Sequence, residues 1–403
     1  MGPTNLQPLP YHLAIRDFLK GEEGRVWEWF ASHKARDEQA EAVRFDLLKR
    51  TYRIERCADP QLYATADEVK NLLSLDVPIT IYQAQNPEGL NAGLAYVPHE
   101  AHIVFEGPIK SRLTAPEAKS LLGHELAHFA LWEGWDGEFL VADQILSALT
   151  HDAAAEPPHM ASARLLGLYS EIFCDRGALA VAGDPLVVVA TLVKLATGLE
   201  EVDAASYIRQ AEEIFLKGPA KTAGLTHPEA YVRARAIQLW HDGAEAVEEQ
   251  IAEMIEGALA LDELDLLGQQ RVAALTRRLI DALLRRPWMQ TELLMGHARL
   301  YFPDYALPRQ PDDDDGLAND LRTEDLPLRD YYCYVMLDFV TADRELEQMP
   351  LAAALQLGER LGLKDRLAEI AMKELRLTKK QLGRLDQEKT SLLEKAANAG
   401  CAE

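Results

Sequence analysis

The chain has 403 residues, 48% hydrophobic and 27% charged, the balance of a globular protein long enough for two or three domains. A formal net charge of −23 disfavours nucleic acid and anionic membrane surfaces as partners. Four scattered cysteines, Cys57, Cys174, Cys333 and Cys401, read as reduced thiols, and the N-terminus lacks a basic segment followed by an apolar run, so a cytoplasmic protein is expected.

Residues 10 to 55 read as amphipathic helix, with Phe18, Val26, Trp27, Trp29, Phe30, Val43, Phe45 and Leu47 among many charges. The aromatic cluster is expected to pack on the next domain rather than to line a binding groove. Cys57 reads as an ordinary thiol, with a metal-blocking propeptide cysteine as the alternative. From residue 61 the pattern changes to a short helix (66 to 74) and then to two extended segments. The first is Val77 to Tyr82, and the second runs through His102 to Phe105 after a turn signal at Pro98-His99-Glu100. A hairpin follows, with His99 and His102 read as exposed strand or turn positions rather than ligands.

Thr114 and Glu117 form a capping-box pattern that opens a helix carrying Gly123-His124-Glu125-Leu126-Ala127-His128-Phe129. Histidines four apart share a helix face, so His124 and His128 can offer two imidazole nitrogens to one Zn2+, with Glu125 beside them as general base. A catalytic zinc needs a third protein ligand and an open position for water. Leu131 and Gly134 exclude the metzincin arrangement, which would place glycine and histidine there. The stretch from Glu133 to Pro158 reads as a long loop with one short helix (138 to 149), either a lid or a passive excursion. It carries Asp136, Asp143 and His151, with His159 just beyond. The helix expected over 161 to 182 places Glu171 and Asp175 on one face: Glu171 as the ligand, Asp175 to hold an imidazole by its other nitrogen. His151 and His159 rank below Glu171, because neither has such a companion at fixed spacing.

Helices are expected at 185 to 197, 201 to 217 and 228 to 241. The most apolar run, Leu186 to Val193, has eight residues against the ~20 of a membrane span. Gly183-Asp184-Pro185 opens the first of these helices, and Thr226-His227-Pro228, with Arg233 six residues after the histidine, opens the last. H-E-x-x-H, then E-x-x-x-D, then T-H-P, in this order over residues 61 to 243, resembles the zinc peptidases that include the CAAX prenyl proteases, HtpX-type heat-shock proteases and BepA-type chaperone-proteases. The resemblance implies a gluzincin with Glu171 as third zinc ligand, Glu125 as base, His227 stabilising the oxyanion, and an extended substrate added to the cleft's bordering strand. Three positions depart from the pattern. Ala127 stands where glycine is frequent, Cys174 replaces alanine, and Leu168, Tyr169 and Ser170 replace arginines.

Residues 303 to 328, with Pro303, Pro308, Pro311 and the run Asp312 to Asp315, read as an acidic linker. Beyond it, Tyr331 to Leu382 reads as a helical bundle that weakly resembles TerB-type tellurite-resistance modules, with Asp338, Asp343 and Glu347 at the acidic positions. The expected divisions are an N-terminal helical segment (1–60), a metallopeptidase domain (61–243), a helical extension (244–302), the linker (303–328), the TerB-like domain (329–389) and a frayed tail (390–403). The expected architecture is mainly α with a small β-sheet, an α+β zincin-like core, followed by a C-terminal all-α bundle. The expected function is zinc-dependent hydrolysis of protein or peptide substrates, with one catalytic Zn2+ and a possible protein partner for the C-terminal bundle. The alternatives are a binding or chaperone module on the same frame, or a peptidase held latent by that bundle.

Overall fold

The computed structural model describes residues 6–85, 89–151, 155–218, 220–224, 226–257, 259–308, 314–322 and 326–399. They fall into two compact units, Met1–Gly257 and Ala258–Glu403. The architecture is mainly α with one small mixed sheet, as the sequence implies.

The first unit opens with α1 (Pro10–Glu22), α2 (Gly24–Phe30) and α3 (His33–Arg50). Ile15 and Leu19 bury the inner face of α1 completely. Trp29 and Phe45, expected to be packed, are 61% and 60% exposed, because each lies on the outward face of its helix. Residues 51 to 54, expected as helix, instead form β1 (Thr51–Ile54), which pairs antiparallel with β2 (Ile79–Ala84). Between them lies α4 (Pro60–Leu72), whose Asp59 cap accepts from Leu62 N at 3.1 Å. Tyr63 ties this helix to the sheet: its hydroxyl donates to Ile54 O (2.7 Å) and accepts from Ile81 N (3.0 Å). The hairpin of β3 (Asn91–Val97) and β4 (Glu100–Glu106) completes a sheet of order β1-β2-β4-β3, with β2 and β4 parallel. β3 therefore lies at an edge.

A single turn, α5 (Ile109–Arg112), leads into the helical layer. This comprises α6 (Ala115–Glu133), α7 (Glu138–Thr150), α8 (Pro157–Ala182), α9 (Pro185–Thr197), α10 (Ala204–Leu216), α11 (Ala230–Asp242) and α12 (Val247–Ile255). Helices α6 and α8 form its centre. Gly123 and Gly177 lie where they cross, and a Cβ on either would overlap Val181 or Ala127. Only small residues at this crossing let the two backbones come close enough for short side chains to meet.

The second unit contains α13 (Leu266–Leu284), α14 (Glu292–Tyr301), α15 (Asp314–Arg322), α16 (Leu326–Ala342), α17 (Met349–Arg360), α18 (Lys364–Glu374) and α19 (Lys379–Ala399). Its core includes Leu279, Ile280, Tyr332, Phe339 and Leu367, all fully buried. Part of the acidic stretch read as linker is helix α15, which buries Leu317, Ala318 and Leu321 in this core; Asp312 and Asp313 lie outside the described residues. The tail read as frayed continues α19 to Ala399, and residues 400–403 lie outside the described residues. The three acidic positions of the TerB-like reading are dispersed in role. Asp338 accepts from Tyr301 Oη (2.5 Å), Asp343 caps the turn at Arg344–Leu346, and Glu347 is exposed. Among the described residues no helix is long and apolar enough to cross a membrane.

Candidate active site

The start of α6 fixes the phase of everything on it. Thr114 N donates to Glu117 Oε2 (2.8 Å), closing the capping box, and Glu117 places its charge at the positive end of the helix. Glu117 also receives Lys194 Nζ from α9 at 2.9 Å, an ion pair with both side chains under 10% exposed. From that start, Leu122, Leu126 and Phe129 turn into the core. His124, Glu125 and His128 face a cleft of about 660 Å3.

Helix α8 brings Glu171 and Asp175 to the same place. Glu171 Oε2 stands 3.4 Å from His124 Nε2, and Oε1 stands 3.4 Å from His128 Nε2. Asp175 Oδ1 lies 3.1 Å from His124 Nδ1, on the far side of the ring. Arg233, from the first turn of α11, grips Asp175 by two bonds, Nε to Oδ2 (2.7 Å) and Nη2 to Oδ1 (2.6 Å), and sets Nη1 3.4 Å from Glu171 Oε2. The sequence marks Arg233 only as part of a motif and gives it no role. Its position in the network depends on how α11 crosses α8, which no local pattern encodes.

Burial opposes charge throughout this cluster, and the pairing decides which groups keep it. Burial pushes Glu125 above the usual carboxylate range, and the neighbouring histidines offset this only in part. Glu171 is also buried, yet the nearness of His124, His128 and Arg233 holds it well below that range. Burial works against Asp175 as well, and Arg233 outweighs it. Burial would lower His124, but Asp175 and Glu171 together raise it to about 10. The Cys174 thiol approaches the imidazole pair, with one ligand-type atom of each residue within 4.8 Å of the others. Burial among Glu171, Glu125 and Asp175 pushes it well up, which keeps it protonated.

His227 enters from the loop before α11. Its Nε2 lies 3.6 Å from Glu171 Oε1, its Nδ1 2.9 Å from Thr226 Oγ1, and its side chain is 57% exposed. The loop is pinned from beneath, since Arg164 on α8 donates to Gly224 O (2.9 Å) and Thr222 O (3.0 Å), and Glu229 accepts from Ala223 N (3.0 Å). One wall of the cleft is the edge strand, through Asn91 to Leu94, and another is the apolar face of α9, with Val188 and Leu192.

Among the described residues that line the cleft, none of His99, His102, His151, His159 or Cys57 is found. His99 is exposed, as expected. His102 is buried, contrary to expectation, with Nδ1 3.2 Å from Tyr82 Oη and Nε2 3.1 Å from the Glu100 carboxylate. The short helix expected over 138 to 149, within the stretch from Glu133 to Pro158, is α7, whose Phe139, Val141 and Ile145 are buried.

No family model matches the chain, and no solved structure matches it. A plastoglobule-localized metallopeptidase 48 of Arabidopsis thaliana, named as chloroplastic, is 29% identical over 198 residues, covering 44% of this chain and 56% of that protein. The chain thus spans about half the length of the curated relative it matches, and over that part it is similar to a protein named as a metallopeptidase.

Proposed function

We propose that this chain is a zinc-dependent endopeptidase in which His124, His128 and Glu171 hold the metal and Glu125 is the general base. The observation that carries this reading is the pair of 3.4 Å separations between Glu171 and the two Nε2 atoms. Donors bound tetrahedrally at about 2.0–2.1 Å are separated by about 3.3–3.4 Å, and each imidazole Nε2 stands at that distance from one of the two Glu171 oxygens. Glu171 Oε2 is buried and, although flanked by two cationic groups, accepts no hydrogen bond, which leaves a lone pair for a cation. The carboxylates that hold a proton on His124 also make the site attractive to a divalent ion. Glu171 offers an oxygen 3.4 Å from each Nε2, whereas the Cys174 thiol is placed only within 4.8 Å of a ring nitrogen of each histidine. The likeness to a protein named as a metallopeptidase supports the same reading.

Bound zinc supplies Lewis acidity and a water of lowered pKa. Glu125, buried beside the imidazole pair and facing the cleft, can take a proton and return it to the leaving amine. Asp175 fixes the tautomer and orientation of His124, and Arg233 fixes Asp175. His227, with Nδ1 directed to Thr226, turns Nε2 into the cleft as a donor for the oxyanion that forms on the scissile carbonyl. An extended peptide would pair with the free edge of β3, which forms that wall of the cleft.

The test uses casein and a peptide library, with and without chelator. The Glu125→Gln protein should retain stoichiometric zinc by elemental analysis and lose about 10²–10⁴-fold in hydrolysis. Equal turnover by the variant, or wild-type turnover indifferent to chelation, refutes the assignment.

A further inference from the structure

The oxyanion donor of the proposed reaction, His227, is held by little of its own. Its side chain is 57% exposed, with Nδ1 2.9 Å from Thr226 Oγ1 and Nε2 3.6 Å from Glu171 Oε1. A hydrogen-bond donor stabilises a transition state to the extent that it is already aimed there. With so few contacts on the ring, the backbone that carries it must do the aiming.

That backbone is braced from both ends. Arg164 on α8 donates from Nε to Gly224 O (2.9 Å) and from Nη2 to Thr222 O (3.0 Å). Glu229, at the far end of the loop, accepts from Ala223 N (3.0 Å) and from Thr222 Oγ1 (2.5 Å). Burial would raise the Glu229 carboxyl, but Thr222, Ala223 and Arg164 outweigh it and lower it. The brace therefore contains an ionised acceptor as well as a guanidinium, and such bonds are roughly twice as strong as neutral ones. Gly224 is where the brace meets the histidine: a Cβ there would fall 1.9 Å from His227 O, so the clamped residue lies directly against the His227 backbone.

Two features set this brace apart from ordinary loop anchoring. Arg164 comes seven residues before Glu171 on α8, about two turns, and so shares its face of the helix. One rigid helix thus carries Glu171 and, through Arg164, clamps the loop that brings His227 to it. The Glu229 carbonyl in turn opens α11, accepting from Arg233 N at 3.1 Å, so the brace runs without a break from α8 to the start of the next helix at the cleft.

We infer that Arg164 and Glu229 are positioning residues for His227: together they fix the backbone from Thr222 to Glu229 so that Nε2 faces the cleft beside Glu171. The inference rests on the proposed oxyanion role of His227 and extends it to two side chains that touch neither metal ligand.

The experiment follows hydrolysis of casein by the zinc-loaded full-length protein. Wild type is compared with Arg164→Met, Glu229→Gln, His227→Ala and the two double variants that contain His227→Ala. Arg164→Met should lower kcat by about 10²-fold, the cost of a group displaced by about 1 Å, with KM and zinc content unchanged. Glu229→Gln should lower it less, since the amide oxygen keeps one of the two bonds. In the His227→Ala background neither change should cost anything further, because the group they aim is gone. A merely structural role would give losses that multiply in the double variants. That result overturns the inference, as does wild-type kcat in both single variants. Glu229→Gln removes a charge and almost no volume, so the comparison stands even if Arg164→Met does not fold. If His227→Ala alone keeps wild-type kcat, the oxyanion role fails and this inference with it, while the zinc site remains. Wild-type hydrolysis indifferent to chelator would refute the metal reading and everything built on it.

Discussion

The two units bury polar groups for different ends. In the second, Asp265 and Asp343 are buried as helix and turn caps, each accepting a backbone N–H close by in sequence (2.7 Å from Gly268, 3.0 Å from Glu345). Its charge pairs, such as Arg366 with Asp330 and Arg277 with Asp304, lie at least partly in solvent. In the first unit Glu125, Glu171 and Asp175 are 4%, 8% and 1% exposed. They converge with Arg233 from three helices, and the nearest partners of Glu171 and Asp175 are other side chains. Caps answer a need that every helix has. A buried cluster of ionised side chains answers no such need and costs desolvation, so its presence beside a cleft is what singles that cleft out as the candidate site.

The comparison can be broken most directly at Arg233. Replacing it with methionine leaves two buried carboxylates without their cation, and a loss of about 3–5 kcal/mol in urea unfolding is expected. The matched change in the second unit, Arg366→Met, should leave the urea midpoint in place, since that guanidinium is open to solvent and surface pairs contribute little. Equal effects from the two variants would show that the first unit's network is no more than a surface pair sunk slightly deeper. Next in size is His227→Ala. Removing an oxyanion donor should cost about 10²–10³-fold in kcat, with zinc content and unfolding unchanged because the ring is more than half exposed. Zinc itself sharpens the contrast. At a hundredfold its dissociation constant it should stabilise the first unit by about 2.7 kcal/mol. The unfolding of the second unit, followed by a reporter placed there, should not respond. A shift of both would remove the distinction.

The parts of this molecule that could be read from sequence are those whose causes are local. The capping box at Thr114 and Glu117 needs three residues of context, and α9 begins and ends where Pro185 and Gly198 place it. The i, i+4 spacing that puts His124 with His128, and Glu171 with Asp175, is a property of any helix. Causes that lie across the chain were hidden. β1 is a strand because Thr51 to Ile54 meet Ile81 to Ala84, and its own residues continue the preceding helical pattern well enough to conceal that. The acidic stretch reads as linker by composition, yet Leu317 and Leu321, four apart among the aspartates, are enough to draw a helix into the core. Arg233 reaches Asp175 across 58 residues.

The smallest expected effect tests whether the cleft's scaffold uses buried charge in the same way as its centre. Lys194 ties α9, which carries Val188 and Leu192 on the cleft wall, to the first turn of α6 through Glu117. Burial alone would raise the Glu117 carboxyl, but the bonds from Lys194 and Thr114 outweigh it and lower it. Such a carboxylate contributes stability that is fully present above its unfolded pKa of about 4.3 and is lost as pH falls through the lower, folded value. Lys194→Met should therefore cost about 1–3 kcal/mol near pH 7, and the gap from wild type should close as the pH is taken below 4.3. A gap that stays constant down to acid unfolding would mean that the lysine acts through its aliphatic stem, packed against the helix, rather than through its charge. In that case α9 would be held by apolar contact alone, and the buried ionic network would be confined to the residues around His124.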